Sequence, residues 1–199
     1  MFEARLKKLT SSLTSCEVFD ASGLVQVDEG LSRACSMIRR TNERKGIVYV
    51  IGNGGSAGIA SHFCNDLVKA LHIGSQTLYD SNLLTCLAND LGYEHVFSFP
   101  LDKMLTENDL LVAISSSGKS PNILNGAKVA KEKNAGLITL SGFQSTNPLR
   151  LLGNLNFWID QTDYGLVEAS HFFLLHSVID LWGHYRMRDL LAKEAECPK

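Results

Sequence analysis

Apolar residues recur at helical spacing over the first 45 positions. Leu6, Leu9 and Leu13 fall on one helix face, and Val27, Leu31, Ala34, Cys35 and Ile38 mark a second helix over 25–44. At residue 46 the period changes. Residues 46–51, GIVYVI, form a nearly continuous apolar run rich in β-branched side chains, the signature of a strand buried on both faces. A glycine-rich turn and a helix over 56–71 follow. The alternation continues with a strand at 76–79, a helix at 82–91, a strand at 110–115 and a helix at 121–134. Strands at 136–140 and 155–159 and a long helix from about 165 complete it. Strands and helices in regular alternation predict crossovers and a parallel sheet covered on both faces. The expected fold is α/β: a three-layer α/β/α sandwich around a five-stranded parallel sheet. It is read as one domain over 1–199, with 1–45 as an N-terminal helical appendage and no linker between them.

Composition narrows the function. With 199 residues, 45% apolar and 20% charged, the chain can build a core that needs no disulfide or metal staple. A net charge of -2 gives no electrostatic footprint for nucleic acid. No run of 18 apolar residues is present, so no membrane span is expected, and the N-terminus lacks a signal-peptide pattern. The five cysteines are scattered without a CxxC pair, which fits free thiols in a reducing cytoplasm.

Two loops carry the chemistry. Residues 51–58, IGNGGSAG, follow the strongest strand and open a helix. Glycines there permit a tight turn and close approach of a ligand, and the N–H groups at a helix N-terminus attract an anion. The spacing lacks both the dinucleotide fingerprint, with Asp80 standing 26 residues after Gly54, and the Gly-Lys-Ser/Thr of a nucleoside-triphosphate loop. No nucleotide cofactor is expected. Residues 114–122, ISSSGKSPN, also join a strand to a helix. One serine suffices to cap a helix; four, Ser115, Ser116, Ser117 and Ser120, point to a further acceptor such as a phosphate monoester. In an open parallel sheet both loops leave the carboxyl ends of strands, where such folds bind ligands.

These segments resemble the sugar isomerase (SIS) domain family and, within it, the phosphoheptose isomerase group. GNGGSAGIASHF in the first loop, Asn89-Asp-Leu-Gly-Tyr93, SSSGKSPN, and Glu168, His171 and His176 near the C-terminus stand in the family's order over nearly the whole chain. The resemblance implies a flavodoxin-like fold and a homotetramer with sites between subunits. It also implies an aldose–ketose isomerase that converts sedoheptulose 7-phosphate to D-glycero-D-manno-heptose 7-phosphate, for bacterial surface heptose or polysaccharide. Ser56, Ser115, Ser117 and Ser120 match phosphate-binding hydroxyls, with Gly54, Gly55 and Ser116 in the same loops. Asn53 matches a residue that holds the sugar, and Asp90 a polar group near it.

Isomerisation needs a base for a proton α to a carbonyl and an acid for the enediol oxygens. The family's glutamate and histidine fall at Asp66 and His176, and the resemblance sets His176 opposite Asp66 of a neighbouring subunit. Asp66 is one methylene shorter than the family's residue, and Glu168 stands where the family more often has Gln. Several readings stay open: Asp66 remains the base, Glu168 takes over as base, or the site has moved to another sugar phosphate or lost turnover. His62, Asp66, Glu168 and His176 also coincide with a zinc site of some family members. His62 and Asp66 are four apart on one helix, but Glu168 and His176 are eight apart, about 12 Å along an ideal helix. They share an ion only if Glu168 lies at a bent or uncoiled helix start. His171, followed by Phe172-Phe173-Leu174-Leu175, reads as a packing or supporting residue, Cys64 as a buried thiol, and His72, His95 and His184 as ordinary. Lys119 either adds charge to the phosphate or faces solvent. Fold alone does not fix function. The alternatives are an isomerase of another keto-sugar phosphate, and a non-catalytic SIS-domain module that binds a sugar phosphate or another protein.

Overall fold

The computed structural model describes the backbone of residues 1–196 and side chains through 183; Cys197 and the His184 side chain lie outside the described residues. Five strands run parallel in the order β4 (Ser75–Thr77), β3 (Val48–Ile51), β5 (Leu110–Ser115), β6 (Gly136–Gly142) and β7 (Leu155–Ile159). Successive side chains point to opposite faces of a strand, so these apolar runs feed two cores. Val48, Val50, Val112, Ile114, Leu140 and Phe157 pack under α2 (Val27–Glu43), α3 (Gly55–Lys69) and α7 (Tyr164–Glu196). Tyr49, Ile51, Leu111, Ala113 and Leu137 pack under α4 (Ser81–Asp90), α5 (Ser98–Met104) and α6 (Pro121–Glu132). The three-layer sandwich and its five parallel strands agree with the periodicity.

The N-terminal region departs from expectation. Between α1 (Phe2–Thr14) and α2, residues read as wholly helical form a hairpin, β1 (Glu17–Asp20) and β2 (Gly23–Val25). β1 pairs antiparallel with β7, Val18 opposite Phe157, and makes the sheet seven-stranded. The turn has a local cause: Asp20 Oδ1 accepts hydrogen bonds from Ser22 N at 2.7 Å and Ser22 Oγ at 2.6 Å, and Gly23 takes φ +109°. Arg150 fastens the hairpin to the sheet. Its guanidinium lies 4.4 Å from both the Phe19 and Trp158 rings and donates to Glu17 Oε2 at 2.5 Å. Val18, Ala34, Cys35 and Ile38 belong to the main core, so the hairpin and α2 are built into the sandwich, whereas α1 is almost wholly exposed and Ser12 is its one buried residue.

The contact between hairpin and helix is tight. A Cβ at Gly30 on α2 would fall 2.6 Å from Val18 Cγ1. Gly30→Ala is therefore expected to destabilise the fold by about 1–2 kcal/mol, overpacking against the stiff Val18 outweighing the helix propensity gained. A lower urea midpoint checks this, and Val18→Ala in the same chain is expected to restore the space.

Candidate active site

The topology places the site. After β3 the chain turns to β4 on one side, then returns to lay β5 on the other side of β3. The loops leaving β3 and β5 diverge, and the crevice between their carboxyl ends is where open α/β sheets hold ligands. There the structure has a cleft of about 240 Å³ lined by both predicted loops, Asn53–Ser56 and Ser115–Ser117 with Ser120, together with Tyr164 and Glu168 from α7. A larger cavity of about 440 Å³ sits at the opposite, amino end of β5, β6 and β7, lined by Arg33, Arg40 and Arg44 and acidic neighbours. No glycine- or serine-rich loop faces it.

Each wall is fixed by local chemistry. Gly54 adopts φ +54°, ψ -122°, a conformation that L side chains rarely adopt, and thereby starts α3 abruptly. Gly52 lies against Ser56, where a Cβ would meet the Ser56 carbonyl carbon at 2.7 Å. Tyr79 donates to Gly52 O at 3.0 Å, and burial pushes its phenol pKa upward, so the O–H stays a donor. The Asn53 amide is preset by a reciprocal pair with buried Asn122, at 2.9 Å and 2.8 Å, and Tyr93 OH donates to Asn53 Oδ1 at 3.3 Å. In the serine loop the Ser115 and Ser120 hydroxyls lie 3.2 Å apart, Ser117 Oγ accepts from Lys119 N, and Ser116 Oγ is buried without a partner. Lys119 Nζ donates to Gln144 Oε1 at 2.5 Å, tying the lysine to the β6–β7 loop.

The predicted acid–base residues form two groups. Glu168 lies over the start of α3, where any side chain at Gly55 would collide with its carboxylate, and it is the one carboxylate among the cleft's lining residues. His62, Asp66 and His176 gather farther along the α3–α7 seam, with one ligand atom of each within 4.8 Å of the others. Asp66 Oδ2 sits 3.2 Å from His62 Nε2 and 3.7 Å from His176 Nδ1. Phe172 lines the same cluster, its ring centroid 5.0 Å from that of His62 and 4.6 Å from that of His176. Asp66 and His176 meet within one chain. Glu168 stays apart from the other three, because α7 is already helical from Tyr164 and eight residues of helix separate Glu168 from His176 by about 12 Å. Asp90, the last residue of α4, accepts from Asn89 and Cys86 and does not line the cleft.

Cys64 is buried, and burial raises its thiol to about 11, so it is no nucleophile at neutral pH. His171 is fully buried, with Nε2 3.1 Å from Ser141 O and Nδ1 without a partner; burial lowers its pKa to about 4. Asn122 and Tyr93 enter the sequence reading only as members of motifs, without a role, and Tyr79 and Tyr164 do not enter it. Asn122 lies in the first turn of α6, two residues past the N-cap Ser120, a place where a polar helix-start residue attracts no notice.

The sequence profile of the SIS domain matches residues 22–142. A phosphoheptose isomerase of Campylobacter concisus is 34% identical over 154 residues, 74% of this chain and 81% of that protein. The structure of phosphoheptose isomerase GmhA from Neisseria gonorrhoeae superposes with a TM-score of 0.80 at 23% identity, over 91% of this chain and 97% of that one. The Vibrio vulnificus NanR protein complexed with ManNAc-6P shares the fold, with a TM-score of 0.69 at 14% identity over 98% of this chain and 65% of that one.

Proposed function

Because the chain belongs to the SIS domain family, we propose that it is an aldose–ketose isomerase that interconverts sedoheptulose 7-phosphate and D-glycero-D-manno-heptose 7-phosphate. The observation that carries this reading is the cleft at the β3–β5 switch point. It is lined by serine hydroxyls, a helix N-terminus and a single carboxylate, in a chain that is 34% identical to a phosphoheptose isomerase. Ser115, Ser117, Ser120 and Ser56 hold the phosphate, helped by N–H groups at the start of α3. Asn53, fixed by Asn122, orients a sugar hydroxyl.

Glu168 is the base. It takes the proton from the carbon beside the carbonyl and returns it to the neighbouring carbon. Asp66 is the poorer candidate, since its carboxylate already lies between two imidazoles. That contact suits Asp66 to orient His176, which exchanges protons with the two oxygens of the enediol. Base and acid must address adjacent atoms, yet Glu168 and His176 of one chain stand about 12 Å apart along α7. We assign the site to two subunits of a homo-oligomer, a tetramer by family likeness: the phosphate cleft and Glu168 from one chain, the His62–Asp66–His176 group from another. Half-exposure of His62 and His176, at 46% and 39%, supports it, as does an exposed Phe173 on the same helix as His176.

Two imidazoles and a carboxylate within 4.8 Å suit a zinc ion bound by three protein ligands with a position left open. When bound, zinc supplies Lewis-acid polarisation of a carbonyl oxygen. His62, Asp66 and His176 would hold it, and Glu168 keeps its role as base.

Purified protein is expected to interconvert the two heptose phosphates, and His176→Ala to lose that turnover. Calorimetric binding of heptose phosphate with no turnover, with or without added zinc, identifies a sugar-phosphate-binding module instead. No binding at all points to a scaffold for another protein.

A further inference from the structure

The serine loop does not stand alone. Residues 116–120 rest on the end of β6 and the β6–β7 connection through Gly142 N donating to Ser116 O at 2.9 Å and Leu149 N donating to Gly118 O at 3.2 Å. At the centre of this seam lies Asn147, with no exposed surface. Its Nδ2 donates to Gln144 O at 2.9 Å, Gly142 O at 3.2 Å and Ser141 Oγ at 3.3 Å, and its Oδ1 accepts from Arg150 N at 3.0 Å. These bonds lock the amide in place. The locked amide then fills the space beside Gly118, so that any Cβ there would fall inside it. Gly118 sits at φ +64°, the left-handed turn that redirects the chain between Ser117 and Ser120.

From this geometry we propose that Asn147 is a positioning residue for phosphate: it sets the turn at Gly118 and thereby the spacing of the Ser115, Ser117 and Ser120 hydroxyls. The proposal rests on the reading of the serine loop as the phosphate site. Asn147 is fully buried, does not line the cleft and bonds neither Glu168 nor His176, so its loss is expected to act on phosphate affinity and leave the proton transfers in place. A buried amide that only stabilised the fold would lower the melting temperature without changing affinity.

The test uses Asn147→Ala and the milder Asn147→Ser in the full chain, with inorganic phosphate as competitive inhibitor of heptose phosphate turnover. Both KM and the phosphate inhibition constant are expected to rise about tenfold, with kcat within about threefold of wild type, since a displacement on the order of 1 Å is enough to cost affinity. Gly118→Ala approaches the same contact from the other side and is expected to give the same split, which keeps the test decisive if the Asn147 variants do not fold. A folded variant whose KM and phosphate constant both stay within about twofold of wild type overturns the proposal. If wild type itself neither turns over heptose phosphate nor is inhibited by phosphate, the phosphate reading of the loop falls first and this inference with it.

Discussion

Glu168→Gln is expected to lower kcat by about 10²–10⁴-fold, the usual contribution of a positioned general base. The substitution keeps shape and hydrogen-bonding length and removes the ability to accept a proton. It also removes a negative charge from the mouth of an anion site, where Glu168 lies over the first residue of α3. Affinity for inorganic phosphate is therefore expected to hold or tighten while turnover collapses, a split that a misfolded variant cannot mimic. Steady-state kinetics with phosphate inhibition reads both numbers. Asp66→Asn is the comparison: it keeps a side chain of the same size between His62 and His176 and removes the carboxylate as a proton acceptor. Should Asp66→Asn erase turnover while Glu168→Gln retains it, the base is Asp66 and the assignment of Glu168 is wrong.

Acid is expected to destabilise this fold through one residue in particular. His171 is fully buried and neutral, with its pKa lowered from 6.5 to about 4 by burial, against a smaller opposing effect of its bond to Ser141 O. Between those values the unfolded chain binds a proton that the folded chain does not. Stability is therefore complete above pH 6.5 and is lost as pH falls toward 4, by about 2 kcal/mol at pH 5 and about 3 kcal/mol in all. His171→Gln keeps a donor for Ser141 O and has no proton to gain. Urea midpoints at pH 7.5 and pH 5 are expected to fall more for wild type than for this variant. Equal slopes would falsify the assignment of acid sensitivity to His171.

The parts of the fold legible in the sequence were those whose signal is long and one-sided. β5 and β7 lie at 110–115 and 155–159 as the apolar runs predict, because strands buried on both faces need apolar residues at every position. The hairpin escaped because β1 is four residues with one fully buried side chain, Val18, too short for alternation to stand out from helical spacing on either side. Its turn, Asp20-Ala-Ser-Gly23, was the available clue. Both loops that line the cleft were legible because glycines and serines before a helix have few other reasons to cluster. The grouping of acids and bases was not: which of Asp66 and Glu168 meets His176 depends on how α3 lies against α7, a long-range packing that local spacing does not encode. Asn122 and Asn147 were hidden for a related reason, since an asparagine at a helix start or loop looks the same whether it caps a turn or braces a loop across the fold.

The hairpin has a bearing on how copies of this chain can meet. A sheet with an open side offers unpaired backbone to any passing strand, and long flat edges of that kind nucleate aggregation. Here β1 covers the side of β7, and the strands left outermost, β2 and β4, are three residues each. Such stubs give an incoming strand too few hydrogen bonds to hold it, so growth by sheet extension is blocked at both ends. Contacts between copies are thereby steered to the helical surfaces, where the seam of α3 and α7 carries the histidines.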